Sequence, residues 1–557
     1  MWPGAGIAQE REREGPERHP DRMEESVRRA PRRGFETDQA PGLRRMANPR
    51  RTVRLGALTK AERQLAIRKP GLTPVGVARA VPADALAQGE WSVTPEGTRV
   101  WRLQLQSAEA ESVRVRFADF HVGAGKVWLF GAAGSDGVGP YSGDGLFGDG
   151  AFWSDLVAGD TVTVAYEPDP TDSSTAVPLR VEELSHRYAT TAAGKRAADE
   201  PVAVRAAAAA TCAVDLSCHP NYAEPAAAVA LMLFESGGKS YQCSGALLNS
   251  ATDPVLPYFL TANHCISTAE EAKSLVTIYR YQTAACNGQP PALSTLPRVT
   301  GATLVAGQPM ANGDFTLLQL AGFPNTDVKL LGWITEGLDT GESVAGISHP
   351  HGDYKRIAFG QRTRDVSIRF ADGERMPSTA GYQVAWTEGL TQGGSSGSPL
   401  LVTRDGKLYA AGTLTAGPDI DDTNSTIACR AQNTIASYGR FSVAFPYLRS
   451  YLTGNGTTTP DPEPAAAASF TATPITYSRS RVYGQTTLAW QVSGVKAVQI
   501  RLDSPAGVRV TGIVQPNGTL QTGNWVTVGT VFYLQDASDG LSSGASKTLA
   551  TVRVVAP

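Results

Sequence analysis

Residues 243–265 read CSGALLNSATDPVLPYFLTANHC. Its apolar runs on either side of a Pro- and Asp-containing turn predict strand, turn, strand, with His264 at the end beside Cys265. A catalytic histidine must be held in one orientation, with one ring nitrogen facing a nucleophile and the other facing a carboxylate. The end of a buried strand provides such a fixed position.

Two further segments supply the missing groups. In NGDFTLLQL, residues 312–320, Asp314 opens an apolar strand, where a carboxylate can be partly buried against an imidazole. In TQGGSSGSPL, residues 391–400, Ser396 has small neighbours that let the backbone turn tightly. The amides of Gly394 and Ser396 could then point at one spot and form an oxyanion hole.

Each segment alone has an ordinary structural explanation: a loop histidine, a turn aspartate and a Gly/Ser loop. The order His–Asp–Ser, with separations of 50 and 82 residues on a β-rich background, favours catalysis. We therefore predict a catalytic triad of His264, Asp314 and Ser396.

Residues 212–447 resemble the lysyl endopeptidase-like branch of the bacterial chymotrypsin-fold serine proteases. The resemblance is carried by Cys212 and Cys218, TANHC, GDFTLLQL, ISHPHGDYKRI, GGSSGSPL and the YGR at 438–440. It implies two six-stranded β-barrels with the triad in the cleft, and a precursor with an N-terminal propeptide. It also implies the disulfides Cys212–Cys429, Cys218–Cys286 and Cys243–Cys265, whereas six cysteines alone allow fifteen connectivities.

The sequence departs from the family where specificity is set. Lysine-specific members place an Asp two residues before YGR, a His before Gly-Gly-Pro and a Glu shortly before the nucleophile, and trypsin-like enzymes hold an Asp six residues before it. The corresponding residues here are Ala436, Thr415 (before Ala416 and Gly417), Gln392 and Leu390. An ammonium group in this pocket would lack a buried partner. We predict an uncharged P1 residue, apolar or small, although Glu388 or Asp419 could supply a carboxylate.

Length and composition predict a β-rich chain of several domains. Together with the double-barrel protease that the resemblance implies, the strand pattern predicts an all-β chain in which the protease is flanked by two small β-sandwiches. Trp101, Leu103 and Leu105 alternate with polar residues, as do Val498, Ile500 and Leu502. The predicted boundaries are a disordered, charged arm at 1–88, a β-sandwich propeptide at 89–188, a cleavable linker at 189–211, the protease at 212–452, a Pro-rich linker at 453–469 and an immunoglobulin-like sandwich at 470–557.

The net charge of −2 gives no reason to expect nucleic acid as a partner, and the Arg pairs of the arm are interleaved with acids. No apolar run is long enough to span a bilayer. All six cysteines lie between Cys212 and Cys429, which predicts an oxidising compartment and secretion. The chain starts with charged residues instead of a secretory leader, so we expect a missing leader or a misassigned start, with an intracellular protein as a third possibility.

Two clusters resemble metal sites: His349 with His351, and the GPDIDDTNST loop at 417–426. Two histidines at i, i+2 would point to opposite faces of a strand, and the 417–426 loop lacks the spacing of a known cation loop, so we predict no metal or cofactor. The alternative function is a catalytically inactive protease-fold protein that binds a surface. The complete triad favours an active enzyme, which we expect to be a monomer acting on proteins or peptides.

Activation by a freed N-terminus is not expected, because Ser395 stands where trypsin-like zymogens have the Asp that pairs with the α-amino group. We predict instead that residues 89–188 cover the cleft until the linker is cut. The C-terminal sandwich lacks a catalytic cluster, and we predict a role in attachment to a surface or polymer, or in secretion.

Overall fold

The computed structural model describes residues 22–29, 41–44, 46, 48–63, 69, 71–131, 137–188, 209–370, 373–418, 424–430, 434–454, 468–477, 484–493, 495, 497–502, 510–537 and 548–555. The chain divides into two compact units, residues 1–453 and 454–557. Most of the predicted linker at 189–211, the core of the linker at 453–469 and Asp419 lie outside the described residues.

Strands dominate both units. The strands of the N-terminal part are β1 Arg22–Met23, β2 Ser26–Arg29, β3 Thr52–Arg54, β4 Gly76–Ala80, β5 Glu90–Val93, β6 Arg99–Gln106, β7 Ser112–Ala118, β8 Gly123–Phe130, β9 Val138–Gly143, β10 Phe152–Trp153, β11 Val157–Ala158, β12 Thr161–Glu167 and β13 Arg180–Arg187. Those of the protease part are β14 Val214–Asp215, β15 Val229–Ser236, β16 Lys239–Leu247, β17 Tyr258–Thr261, β18 Val276–Ile278, β19 Arg298–Thr300, β20 Ala302–Gln308, β21 Phe315–Leu320, β22 Asp327–Leu330, β23 Gly332–Ile334, β24 Ser343–Ser348, β25 Arg356–Asp365, β26 Ile368–Arg369, β27 Arg375–Met376, β28 Gly381–Glu388, β29 Pro399–Arg404, β30 Lys407–Ala416 and β31 Ile435–Arg440.

The second unit contains β32 Ala468–Ala472, β33 Thr487–Val492, β34 Val498–Leu502, β35 Asn517–Gln521, β36 Val531–Asp536 and β37 Thr548–Arg553. The α-helices are α1 Pro41–Arg44, α2 Lys60–Arg63, α3 Ala223–Ala226, α4 Ala269–Ser274, α5 Ser425–Ala428 and α6 Phe441–Leu452.

The protease part consists of one closed six-stranded barrel, called the second barrel, and a half-barrel, called the first barrel. In the second barrel β29, β24, β25, β28, β31 and β30 pair in that order, and β30 pairs with β29 to close the ring. The first is an open path, β19-β18-β15-β16-β17-β21-β20. One apolar cluster fills the first barrel and continues to Trp333 and the buried face of α6. This arrangement confirms the predicted all-β, chymotrypsin-like fold.

The N-terminal part is a sandwich of two sheets. One contains β7, β13, β4 and the short β10 and β11, and the other contains β3, β5, β6, β12, β8 and β9. Trp101, Leu103 and Leu105 point into the core between them, as their alternation predicts. The opposite face of β6 is also covered, because Leu43 packs with Val100, Trp128 and Ala165.

The prediction of a disordered arm at residues 1–88 is wrong where the structure describes this segment. Strands β1 and β2 pair with β23 and β22 of the protease part, and β3 pairs with β6. Ion pairs explain the order: Arg22 contacts Glu336 at 2.9 Å, and Lys329 contacts Glu25 at 2.6 Å. These charged residues of the arm form ion pairs with oppositely charged residues of the protease part, and such pairs cannot be predicted from composition.

Strand β4 joins the sandwich to the first barrel, because it pairs with β13 on one side and with β16 on the other. Beside it, the buried Arg114 guanidinium lies 3.6 Å from the Glu235 carboxylate. Glu235 also accepts hydrogen bonds from the hydroxyls of Ser185 and Ser240. The predicted boundary at residue 89 is therefore too late, since the sandwich already includes β3 and β4.

The second unit is a small sandwich of two three-stranded sheets, β32-β33-β35 and β34-β36-β37. Its core contains Trp490 and the predicted inward-facing Val498 and Ile500. Within the described residues of the whole chain, no helix combines the length and apolar character that crossing a bilayer requires.

Candidate active site

His264 follows strand β17 and Asp314 immediately precedes β21, and because these strands pair, the two residues meet. The His264 backbone N–H donates to Asp314 Oδ1 at 2.9 Å, and His264 Nδ1 lies 2.7 Å from Asp314 Oδ2. The Asp314 side chain is fully buried. Its φ of 51° is left-handed, a conformation that aspartate tolerates better than most residues. The carboxylate therefore fixes the imidazole through two contacts, leaving Nε2 for a reacting group.

Ser396 lies in the loop between β28 and β29, against the strand that carries His264. The Ser244 N–H donates to the Ser396 carbonyl at 2.8 Å, and a side chain at Gly397 would meet Thr261 Oγ1 at 2.1 Å. In the described part of the chain the Ser396 hydroxyl makes no hydrogen bond. Ser396 thus lies next to the strand that leads to His264, but its hydroxyl makes no hydrogen bond to the imidazole. Catalytic hydrogen bonds of this kind often tighten only when substrate binds.

The two predicted oxyanion donors are backbone N–H groups that do not take part in the hydrogen bonds of the described chain. Among the described residues, no acceptor contacts the N–H of Gly394 or of Ser396. Gly394 has φ of +90°, and a Cβ there would meet the His349 carbonyl at 2.9 Å. Only glycine fits this close approach. The loop therefore presents two backbone donors near the Ser396 side chain.

Hydrogen bonds from three directions hold this loop. Ser244 Oγ donates to the Gly394 carbonyl at 2.9 Å, and the Ser348 and Ser395 hydroxyls are 2.9 Å apart. The Ala210 N–H donates to Gln392 Oε1 at 2.8 Å, and Gln392 Nε2 lies 3.2 Å from His351 Nε2. Gln392, which the family resemblance places in the substrate pocket, ties the loop to Ala210, near the end of the predicted linker. Nothing in the local sequence indicates the Ala210 contact.

The other predicted pocket residues fall into two groups. Ala416 pairs with Ser437 and so lies beside the buried Ala436. Thr415 is buried, and its hydroxyl has no partner among the described residues. A side chain at Gly417 would meet nothing within 4 Å, so this position is open.

Leu390 is buried and packs with Ala210, Ala213 and Ala428. The carboxylate closest to it in sequence, Glu388, is half-exposed and lies 3.8 Å from His219 Nε2. The surroundings of Leu390 and Ala436 are therefore apolar.

Three disulfides are present, Cys212–Cys429, Cys218–Cys286 and Cys243–Cys265, and these are the pairings that the family resemblance implies. Cys243–Cys265 ties the His264 loop to β16. Cys212–Cys429 lies beside Leu390.

The turn at 349–355 supports the loop from behind. His349 is buried, its Nδ1 lies 2.9 Å from the Asp353 carbonyl, and its ring stacks on Tyr281. Burial, reinforced by the nearby Lys355, lowers the pKa of His349 to about 3. Burial also lowers the pKa of Lys355 to about 7, and its Nζ donates to the Ala226 carbonyl at 2.6 Å. His349 and His351 lie in a short turn instead of a strand, where each has a protein partner.

Two family models match this chain: "Lysyl endopeptidase N-terminal domain" over residues 46–188 and "Lysyl endopeptidase, C-terminal domain" over residues 206–429. A lysyl endopeptidase of Pseudomonas aeruginosa is 32% identical over 370 residues, which cover 63% of this chain and 76% of that protein. This chain belongs to the lysyl endopeptidase family. It is accordingly a serine endopeptidase, which confirms the resemblance drawn from the motifs.

Solved structures similar to this lysyl endopeptidase family member are also proteases. The thermostable serine protease AL20 from an extremophilic microorganism has a TM-score of 0.27 at 13% identity, covering 41% of this chain and 98% of that one. The active form of the Rv3671c protease from M. tuberculosis has a TM-score of 0.30 at 16% identity, covering 48% of this chain and 96% of that one.

The buried His349 predicts an acid-dependent loss of stability. In the folded protein its pKa is about 3, whereas an unfolded histidine titrates near 6.5. The unfolded state therefore binds an extra proton between these values, and the free energy of unfolding falls by up to about 1.4 kcal/mol per pH unit as pH decreases from 6.5 toward 3. His349→Asn should flatten this dependence. Urea unfolding of both proteins at pH 4–7, with disulfides intact, measures the difference, and parallel curves would contradict the assignment.

Proposed function

We propose that the chain is the precursor of a secreted serine endopeptidase whose triad is His264, Asp314 and Ser396. The supporting observation is the buried Asp314 carboxylate that holds both the backbone and the ring of His264. Ser396 Oγ attacks the peptide carbonyl while its proton moves to His264 Nε2. The N–H groups of Gly394 and Ser396 stabilise the oxyanion, and His264 then protonates the leaving amine. Water resolves the acyl-enzyme by the reverse proton path.

Replacing the nucleophile tests this proposal. Ser396→Ala should lower kcat by at least about 10⁴-fold and abolish labelling by a fluorophosphonate, because neither acylation nor phosphonylation has another nucleophile. Ser398→Ala, a buried serine of the same loop, is the matched control and should retain labelling. Mass spectrometry of the labelled protein locates the adduct, and labelling that persists in Ser396→Ala would refute the triad.

We further propose that the P1 residue is uncharged. The apolar packing of Leu390 and the burial of Ala436 support this, since an ammonium group there would have no carboxylate partner. The Thr415 hydroxyl, which has no partner among the described residues, would favour small or polar uncharged side chains over charged ones.

A panel of peptides that differ only at P1 measures this preference. Apolar or small residues should exceed Lys and Arg in kcat/KM by about tenfold or more, which corresponds to about 1.4 kcal/mol of transition-state binding. Ala436→Asp should shift the preference toward Lys by placing a carboxylate in the pocket. A wild-type preference of tenfold for Lys or Arg would overturn the proposal.

We propose that the N-terminal sandwich is a propeptide that assists folding of the protease. Its support is the shared sheet through β4 and the buried Arg114–Glu235 pair, which complete the first barrel's edge. Without the sandwich, that edge would expose backbone donors and acceptors and a carboxylate that is buried in the whole chain. The family model that begins at residue 206 agrees with processing near Arg205.

Refolding with separate pieces tests this role. Residues 206–453 alone should refold poorly, and they should recover peptidase activity when they are refolded with residues 46–188 and then diluted to release that fragment. The Arg114→Met fragment should rescue less well, because Glu235 loses its partner, whereas Arg180→Met, an exposed arginine of the same sandwich, should rescue fully. Full activity of residues 206–453 unaided would refute the role.

Secretion is supported by the three disulfides, which form in oxidising compartments. The partners we propose are protein or peptide substrates and the chain's own propeptide. For the C-terminal sandwich we propose attachment to a surface or polymer, and for the enzyme a monomeric state.

A further inference from the structure

One lysine of the N-terminal domain enters the protease domain beside the catalytic histidine. Lys69 Nζ lies 2.8 Å from Glu271 Oε1, donates to the Cys265 carbonyl at 2.6 Å and lies 3.4 Å from the His264 carbonyl. The ammonium is also 5.6 Å above the Phe234 ring. An ammonium group has three donors, and here a carboxylate and two carbonyls receive them. The contacts form a complete site for a primary ammonium ion.

The walls of this site belong to the protease domain and do not depend on Lys69. Glu271 accepts hydrogen bonds from the Ser267 N–H at 2.8 Å and from Ser236 Oγ at 2.6 Å. It is also the third residue of α4, where its side chain completes a capping box with Thr268. These bonds keep the carboxylate in place, so the site remains when the N-terminal domain leaves.

The segment that carries Lys69 runs along the protease in a defined direction. Gly76 and Val77 pair antiparallel with Ser240 and Lys239 of β16, and the Lys69 N–H donates to the Tyr241 hydroxyl at 3.1 Å. Farther along β16 lies Cys243, which forms a disulfide with Cys265. The segment therefore starts at the catalytic histidine and leads away from it along the sheet edge.

A substrate chain needs two paths away from the scissile bond. The pocket residues Leu390, Thr415 and Ala436 belong to the second barrel, where the acyl side of the substrate would lie. The edge of β16 in the first barrel is then available to the leaving-group side, and extended peptides commonly bind by adding a strand to such an edge. Lys69 and β4 occupy this path in the whole chain.

We propose that the protease domain has a lysine-binding site on the leaving-group side, formed by Glu271 and the carbonyls of His264 and Cys265. Lys69 fills it in the whole chain, and a substrate lysine a few residues after the scissile bond fills it once the N-terminal domain is removed. The compact, three-acceptor arrangement suits an ammonium better than a planar guanidinium. The substrate part of this inference rests on the proposed function.

Chemical rescue in the full-length chain tests the site itself. Lys69→Ala, combined with Ser396→Ala to prevent processing, removes three carbons and the ammonium. Millimolar n-propylammonium should raise the Tm of this protein saturably, whereas 1-propanol should not. The rescue should vanish when Glu271→Gln is added, and the parent with Lys69 should not respond. Equal effects of the amine and the alcohol, or rescue that survives Glu271→Gln, would overturn the site.

A peptide scan with the processed enzyme tests the substrate part. Peptides that place one Lys or Gln at each of the four positions after the scissile bond should show a Lys preference at one position, about tenfold in kcat/KM and mainly in KM. Glu271→Gln should abolish it, so that kcat/KM for the Lys peptide falls to the value for the Gln peptide in the same variant. Glu270→Gln, an exposed carboxylate of the same helix, is the matched control and should keep it.

A second variant keeps the test decisive if Glu271→Gln folds poorly, although Gln can retain the capping box. Ser236→Ala removes one hydrogen bond that orients Glu271 and should therefore reduce the Lys preference partially. Absence of any Lys preference in the wild type, or its persistence in Glu271→Gln, overturns the substrate part. If no peptide is hydrolysed, the substrate part falls with the proposed function, whereas the rescue experiment still decides whether the ammonium site exists.

Discussion

The four hydrogen bonds of Ser244 connect every part of the candidate site. Its N–H donates to the Ser396 carbonyl, and its hydroxyl donates to the Gly394 carbonyl and accepts from the His349 N–H. Its own carbonyl accepts from Thr261 Oγ1. One fully buried serine thus joins the nucleophile loop, the supporting turn and the strand leading to His264. Because buried polar groups are costly when unpaired, displacing any of these segments would leave several such groups without partners.

Much of this arrangement follows from short stretches of sequence. The strand before His264 and the strand after Asp314 are apolar runs whose pairing brings the two residues together. The glycines around Ser396 are required by backbone approach, as the positive φ of Gly394 and the lack of space at Gly397 demonstrate. Such features are local or depend on one strand pairing, and for this reason motifs and their spacing indicate them.

The contacts that could not be predicted from the sequence are long-range and electrostatic. Residues 22–29 look like a solvated tail because basic and acidic residues are interspersed in them. Two of these charges are opposed by residues some 300 positions away, Arg22 by Glu336 and Glu25 by Lys329. Gln392 aligns with a pocket residue of the family, yet its amide binds Ala210 and approaches His351. Comparing residue types cannot distinguish a residue that lines the pocket from one that holds the loop, because the same polar side chain can do both.

The way the nucleophile loop is held bears on how the precursor would stay inactive. Its described hydrogen bonds to other segments involve Ser244, Ser348, His351, Leu414 and Ala210, all of which lie after Arg205, and they are present while the chain is uncut. No new α-amino group is required to form the oxyanion donors.

Latency would then arise from occupation of the cleft edge by β4 and the segment from Lys69, not from an unformed site. Cutting the linker removes only the tether, which lowers the effective concentration of the sandwich without breaking its contacts. We expect the backbone pairing of β4 with β16 and the ion pairs of Arg114 and Lys69 to remain after that cut, because both partners of each contact lie outside the linker. Under the proposed propeptide role, release of the enzyme would depend on destroying the sandwich or diluting it. The stability of the sandwich, more than the rate of linker cleavage, would then set when activity appears.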